Sequence, residues 1–259
     1  MKTVVLTNQK GGVAKTTTAY ALATGLHNKG YKVLIIDADP QGNLTYTSGV
    51  DDTSTNNLYD VFKGVCGVSD GTDHDALKSV KLGLDILSIG LAGTAADMEL
   101  ASRTAREYML KEAIQGLSDK YDFCVIDTAP TLGLLTLNAL TAADYVIIPM
   151  NIEVYSLQGM EQLAGFIQNV KKYTNSDLKV SGLLLTKYNE RLNLTQALKG
   201  NVETAAEIMN TVVYDSKIRE SVAVKETQLL RSDIYTEAPK ASATLDYISF
   251  VDEFIKREG

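Results

Sequence analysis

Apolar positions along the chain come in two rhythms. Short, β-branched runs occur at Thr3–Thr7, Val33–Asp37, Leu84–Ile89, Phe123–Asp127, Tyr145–Met150 and Val180–Thr186. Between them lie longer stretches with helical spacing, Lys15–Lys29, Ala95–Leu117, Leu134–Ala142, Leu157–Tyr173 and Leu194–Met209, and a final one at Ala241–Lys256. Several of the short runs, Val33-Leu34-Ile35-Ile36 among them, are continuous rather than alternating, which suits strands covered on both faces. Strand followed by helix, repeated, predicts a doubly wound α/β fold with a mostly parallel sheet flanked by helices. Gly49–Thr55 and Gly67–Asp75 are polar and read as loops. Neither is long enough to separate domains, and no internal repeat is visible, so residues 1–259 are expected to form one domain.

Composition narrows the class. Of 259 residues, 45% are apolar and 22% charged, which excludes a disordered chain, a collagen and a coiled coil. No apolar run reaches the roughly 18 residues that a membrane-crossing helix needs. The first residues start on a strand-like run and lack the order of a signal peptide. Cys66 and Cys124 lie far apart with no metal-ligand spacing, so free thiols in a reducing cytoplasm are expected. With only His27 and His74, a His-rich metal site or a Ser-His-Asp triad is disfavoured. The net charge of −7 excludes a globally basic nucleic-acid binder but leaves room for a local basic patch.

The chemistry concentrates at three strand ends. After the first strand comes Asn8-Gln9-Lys10-Gly11-Gly12-Val13-Ala14-Lys15-Thr16-Thr17. The ordinary phosphate-loop spacing of glycines fails here, since Gln9 and Ala14 hold those positions. The physical parts are nonetheless present. Gly11 and Gly12 permit positive φ and close backbone approach, and a helix starting near Lys15 aims its free N–H groups at an anion. Lys15 can reach β- and γ-phosphate oxygens, and the Thr16 hydroxyl can ligate magnesium. The second strand ends in Asp37-Ala38-Asp39-Pro40-Gln41-Gly42-Asn43, placing two carboxylates beside that loop. The run Phe123-Cys124-Val125-Ile126-Asp127 ends in a carboxylate as a Walker B strand does.

The string Lys10-Gly11-Gly12-x-x-Lys15-Thr16 resembles the deviant Walker A motif of the ParA/MinD ATPase family, a branch of the P-loop NTPases. Five fixed residues at roughly 6% each recur by chance in about one such chain in several thousand, so the motif is specific. The resemblance implies ATP and magnesium as ligands, cradled by Lys10, Gly11, Gly12, Val13, Ala14, Lys15, Thr16 and Thr17. It makes Lys10 the signature lysine that reaches across a nucleotide-sandwich homodimer to the partner's phosphates. Most members have Gly where this chain has Ala14, and the extra methyl group is expected to lower nucleotide affinity. Asp39 takes the water-orienting role of switch I, so Lys10, Lys15 and Asp39 are the implied catalytic residues. Thr16, Asp37 and Asp127 are the implied magnesium residues. Asp127-Thr128-Ala129-Pro130 is similar to switch II. The adenine turn of the family maps, poorly, near Asp215-Ser216-Lys217, which nominates Asp215 and Lys217.

Further stretches look like the small, Soj-like ParA subgroup of partition ATPases. They are Leu132–Leu140, Ile148-Pro149 followed by Glu153, Tyr155 and Gly159, and Leu183–Leu194. This implies DNA segregation by slow ATP hydrolysis, non-specific binding of double-stranded DNA, a ParB-like centromere-binding partner, and a cytoplasmic protein that associates with the nucleoid when ATP-bound. Phosphate contacts come from basic side chains. Lys187, Arg191, Lys199, Lys217 and Arg219 are the ones to watch, with Arg191 and Arg219 near positions that the family uses for DNA. The N-terminal helix-turn-helix of larger plasmid partition ATPases is not expected, because the chain opens on its first strand. MinD-type relatives end in a basic amphipathic helix that lies on anionic lipid. Here the polar face of the last helix carries Asp246, Asp252, Glu253 and Glu258, so it is expected to dock on the domain and no stable membrane association is expected. The rivals are a MinD-type positioning ATPase and a small-molecule ATP-dependent enzyme on the same scaffold.

Overall fold

Residues 1–51, 56–68, 76–80, 82–152, 156–189 and 199–259 are described by a computed structural model. Its strands are β1 (Lys2–Leu6), β2 (Val33–Ala38), β3 (Lys78–Ser79), β4 (Asp85–Ser88), β5 (Phe123–Thr128), β6 (Tyr145–Met150), β7 (Lys179–Tyr188) and β8 (Val213–Arg219). They form one sheet in the order β3-β4-β2-β5-β1-β6-β7-β8. Every pairing is parallel except that of the short edge strand β3 with β4. The continuous apolar runs are buried on both sides, as their sequence predicts. Val5, Ile36, Ile126 and Ile148 face one core with Leu140, Leu163 and Ile167 from two helices. Val4, Ile35, Val125 and Ile147 face the other, with Leu22 and Leu26 of the helix Lys15–Asn28 and Phe250 and Phe254 of the helix Ser242–Glu258.

The order of strands positions the site. From β1 the chain crosses to β2 on one side, and from β5 it crosses over β1 to β6 on the other. Connections leaving in opposite directions open a crevice at the carboxyl ends of the central strands. The loop after β1 and the ends of β2 and β5 meet there. Asp37 and Asp127 are register partners on adjacent strands, one strand spacing apart.

Two expectations need correction. The predicted helix Ala95–Leu117 is broken into Leu91–Ala95, Ala96–Glu99, Arg106–Tyr108 and Met109–Gln115. Ala105 takes left-handed backbone at φ 53, and the buried Asn138 side chain accepts from Leu110 N at 3.0 Å and donates to Arg106 O at 2.8 Å. A tertiary cap thus restarts the helix where the sequence alone favours continuity. Second, Asp215-Ser216-Lys217 is not a turn but the middle of β8, in which Tyr214 and Ile218 point into the core while Asp215, Lys217 and Arg219 are exposed. The predicted helix Leu194–Met209 is seen as Lys199–Ile208, its first residues lying outside the described set. Some residues of the loops Gly49–Thr55 and Gly67–Asp75 lie outside it as well, as do Glu153, Tyr155 and Arg191.

Candidate active site

The loop after β1 is held at both ends by buried side chains. Asn8 donates to Pro149 O at the end of β6, 2.8 Å, and accepts from Lys10 N, 3.0 Å. Thr186, at the end of β7, donates to Val13 O, 3.1 Å, and to Asn151 Oδ1, 2.8 Å. Between these anchors Gly12 has φ 74 and Ala14 has φ 62, ψ 31, both left-handed. The left-handed Ala14 turns the chain straight into the helix at Lys15, and no side chain caps that helix start. Its free N–H groups therefore face the loop, where a phosphate would accept them. A Cβ placed on Gly11 or Gly12 would meet nothing within 4 Å, so the space along the loop is open to a ligand.

Beside the loop Asp127 and Asp39 share the Lys15 ammonium, and Asp37 is the register partner of Asp127. Asp37 is fully buried and accepts from Thr45 N and Thr45 Oγ1, at 2.8 and 2.7 Å, and from Asp39 N at 3.3 Å. Asp39 lines the cleft and accepts from Gln41 N, 3.0 Å, which fixes the orientation of its carboxylate. Asp127 is fully buried, and neither of its carboxylate oxygens has a hydrogen-bond partner. Burial, then the charge of Asp37, push its pKa well above the ordinary carboxylate value; the Thr16 hydroxyl beside it and the Lys15 ammonium oppose this. Asp37 is also pushed up, by burial first, against the bonds from Thr45. Lys15 is buried, donates to Lys10 O at 3.2 Å, and is pulled down by burial while Asp127 and Asp39 act to raise it. The cluster lacks positive charge. Among the described residues no three acidic, His or Cys side chains form a ready metal cage. A small, hard cation that takes few ligands from protein and the rest from phosphate and water fits such a place, and Asp127 with Thr16 supplies the protein share.

These groups open into a cleft of about 830 Å³. One wall is the phosphate loop, with Gly11, Gly12, Ala14, Lys15, Thr16 and Thr17 lining it, and another holds Asp39, Gln41 and Tyr46. The third comes from the end of β8 and the residues that follow it, Ile218 to Ser221, and from the helix Val222–Leu229. Asp215 and Lys217 do not line it. The strand runs on to Arg219, so the turn that meets the cleft comes later than the family pattern suggests. Asp215 N is bonded to Glu253, 2.9 Å, and the Lys217 ammonium sits 4.8 Å from the Tyr188 ring centre. Arg219 lines the cleft, but Asp246 of the last helix holds its guanidinium bidentately, at 2.6 and 2.9 Å. Lys10 is half-buried at the loop, its side chain already engaged in an interaction. That last helix buries Tyr247, Phe250, Val251 and Phe254, so its apolar face is committed to the core.

Sequence reasoning missed three residues that organise this site. Thr45 donates twice to Asp37, Gln228 donates to Thr17 Oγ1 at 3.0 Å, and Asp246 clasps Arg219. Only Asp246 left a trace in the sequence, as a charge on the polar face of the last helix. β8 itself was legible in principle, through the alternation of Tyr214, Ser216 and Ile218 with polar residues.

Comparison with known proteins agrees with this geometry. The profile of the family described as AAA domain matches residues 1–180. The sporulation initiation inhibitor protein Soj of Bacillus subtilis is 35% identical over 254 residues, 97% of each chain. The chromosome partitioning protein ParA of Caulobacter vibrioides is 34% identical over 261 residues, covering 100% of this chain and 95% of that one. Among solved structures, cobyrinic acid a,c-diamide synthase from Mycobacterium smegmatis with bound ADP and magnesium superposes with a TM-score of 0.85. It is 32% identical, over 99% of this chain and 94% of that one.

Proposed function

Because this chain belongs to the ParA-type family of partition ATPases, within the AAA-domain family, we propose that it is an ATP-driven DNA-segregation ATPase. On this reading it binds ATP with magnesium in the cleft and closes on a second copy. In that state it binds double-stranded DNA without regard to sequence, and it hydrolyses ATP slowly until a ParB-like partner hastens the step. One observation carries it: the two partnerless, buried oxygens of Asp127 lie beside an open glycine loop that Lys15 and Asp39 flank.

The roles follow from the positions. The N–H groups of the uncapped helix start and Lys15 hold the phosphates. Thr16 and Asp127 would hold magnesium, with Asp37 behind them, and magnesium supplies positive charge that offsets the negative charge of the phosphates. Asp39, oriented by Gln41 N, holds the attacking water. Lys10 serves the partner's phosphates, as an arginine finger does. Lys187, Arg219 and Lys225 line the same cleft, a local concentration of positive charge on a chain of net −7. Two copies on one rigid body double the phosphate contacts, so DNA affinity rises steeply on dimerisation.

The test is light scattering and duplex mobility shift at about 50 mM salt, with and without ATP and magnesium. Dimer and shift should appear only with both ligands, for any duplex sequence. Asp39→Ala should accumulate the dimer and release little phosphate. A wild type that dimerises with ATP yet shifts no duplex refutes the partition reading. The likeness to cobyrinic acid a,c-diamide synthase favours one alternative, a small-molecule ATP-dependent enzyme. ATP turnover that depends on a carboxylic acid acceptor, and not on DNA or a protein partner, would select it.

A further inference from the structure

The turn after the helix Val222–Leu229 places Arg231 at φ 51. Leu230 ends the helix, so Arg231 is the first residue past it, where left-handed backbone is usual and glycine the favoured occupant. An L-residue there is strained. The side chain accounts for the choice. Nε of Arg231 donates to Tyr46 O at 3.0 Å, and Nη2 donates to Val50 O at 2.9 Å and pairs with Asp51 at 2.7 Å. The guanidinium also lies over the Tyr46 ring, 4.7 Å from its centre. Tyr46 and the helix Val222–Leu229 stand on different walls of the cleft, so one side chain ties the two walls together.

The tie continues to the reacting end of the site. Tyr46 N donates to Gly42 O, 2.9 Å, and Gly42 N donates to Asp39 O, 2.9 Å. Val50, whose carbonyl Arg231 holds, donates through its N–H to Thr45 O, 3.3 Å, and Thr45 carries both bonds to Asp37. Arg231 thus grips the segment that orients Asp39 and Asp37 without touching either. We propose that Arg231 is a positioning residue for ATP hydrolysis, one that fixes the Asp39–Val50 segment against the end of the helix Val222–Leu229. The proposal rests on the reading that this cleft hydrolyses ATP.

The backbone strain makes a clean test available, using the full chain. Arg231→Gly removes the side chain but suits the left-handed turn, so the melting temperature should stay within about 2 °C of wild type or rise. A misplaced Asp39 should lower kcat at least about 10-fold while KM for ATP changes less than about 3-fold. Amide exchange over residues 43–50 should quicken about 10-fold in the nucleotide-free chain, and that of the phosphate loop should not. Arg231→Lys, which keeps the charge but not the forked donors, should fall between the two. A glycine variant with wild-type kcat and unchanged exchange overturns the proposal. So does one in which kcat and melting temperature fall while KM rises, because that marks a merely structural tie. If the wild type turns over no ATP, the hydrolytic reading fails. The exchange measurement alone then decides whether Arg231 holds the segment.

Discussion

Ala14 stands at the sharpest bend of the phosphate loop, and replacing it by glycine measures what that bend costs. Left-handed backbone disfavours an L-residue by roughly 1–2 kcal/mol. Glycine escapes this penalty but gives the unfolded chain more freedom, which costs about 0.5–1 kcal/mol. With φ 62 and ψ 31, Ala14 is near the centre of the left-handed region. The net for Ala14→Gly is therefore a gain of about 0.5–1 kcal/mol, or roughly 1–4 °C in melting temperature for a chain of this size. The family resemblance suggests a different consequence, a loss of nucleotide affinity. The structure shifts the cost. A bend that the fold makes before nucleotide arrives is a cost of folding, and a ligand that uses the same bend gains nothing from its relief. The ATP dissociation constant of Ala14→Gly should lie within about 2-fold of wild type. Thermal unfolding without nucleotide and titration calorimetry with ATP and magnesium make the two measurements. A lower melting temperature refutes the strain argument. A roughly 10-fold tighter dissociation constant shows that the loop rearranges on binding, and refutes the claim that the bend is preformed.

Three further outcomes are expected. Lys15→Ala should weaken ATP binding more than about 100-fold by calorimetry, since it removes charge-assisted bonds of about 1.5–3 kcal/mol each; near wild-type affinity would dismiss the phosphate-loop assignment. Asp127 holds its proton above its ordinary value of 3.8, so the folded chain is protonated where the unfolded one has already ionised. Its contribution is therefore most favourable at low pH, and the stability of the metal-free chain should fall as pH rises above about 4. Asp127→Asn should flatten that slope and raise stability near pH 7.5 by about 1–3 kcal/mol in a chelator, whereas an unchanged slope would place the buried charge elsewhere. For DNA, Arg219→Glu is a poor probe because the new carboxylate would face Asp246. Arg219→Ala should instead lower the salt slope of binding by about 1, and Asp246→Asn should tighten binding by freeing the guanidinium; no change in either variant would remove Arg219 from the DNA face.

How much the sequence disclosed follows from how each feature is encoded. Several of the six main strands are continuous apolar runs, a signal that burial on both faces demands and that reads locally. The phosphate loop is local too: a strand, two glycines, a lysine and a helix, all within β1 to Asn28. β8 hides because it lies at one edge of the sheet and half of its residues are polar. The break after Glu99 hides because its cap, Asn138, lies on a different helix. The same applies to the residues that shape the cleft. Thr45, Gln228, Arg231 and Asp246 are ordinary surface types, and each acquires its role only when folding brings its partner near. Chemistry that sits on consecutive residues was therefore legible, and chemistry that depends on one element reaching another was not.

The site departs from stable geometry in two ways, and they respond differently to a ligand. One is steric: Ala14 and Arg231 hold backbone that glycine would hold more easily. The other is electrostatic: Asp39 and Asp127 share the Lys15 ammonium, Asp37 adds a like charge beside Asp127, and the oxygens of Asp127 have no hydrogen-bond partner. A ligand with a divalent cation cancels the second and leaves the first untouched. Stabilisation by nucleotide should therefore require the cation, because ATP alone brings more negative charge to a cluster that already has an excess. The same imbalance gives the cleft its directionality. Burial makes Asp127 and Asp37 hold their protons more tightly than usual, so a cation that binds there competes with protons, and the metal-loaded state is reached more readily as pH rises. The strain is a cost of holding the loop and the Asp39 segment in one arrangement, which is what positioned charges require if they are to act without first rearranging.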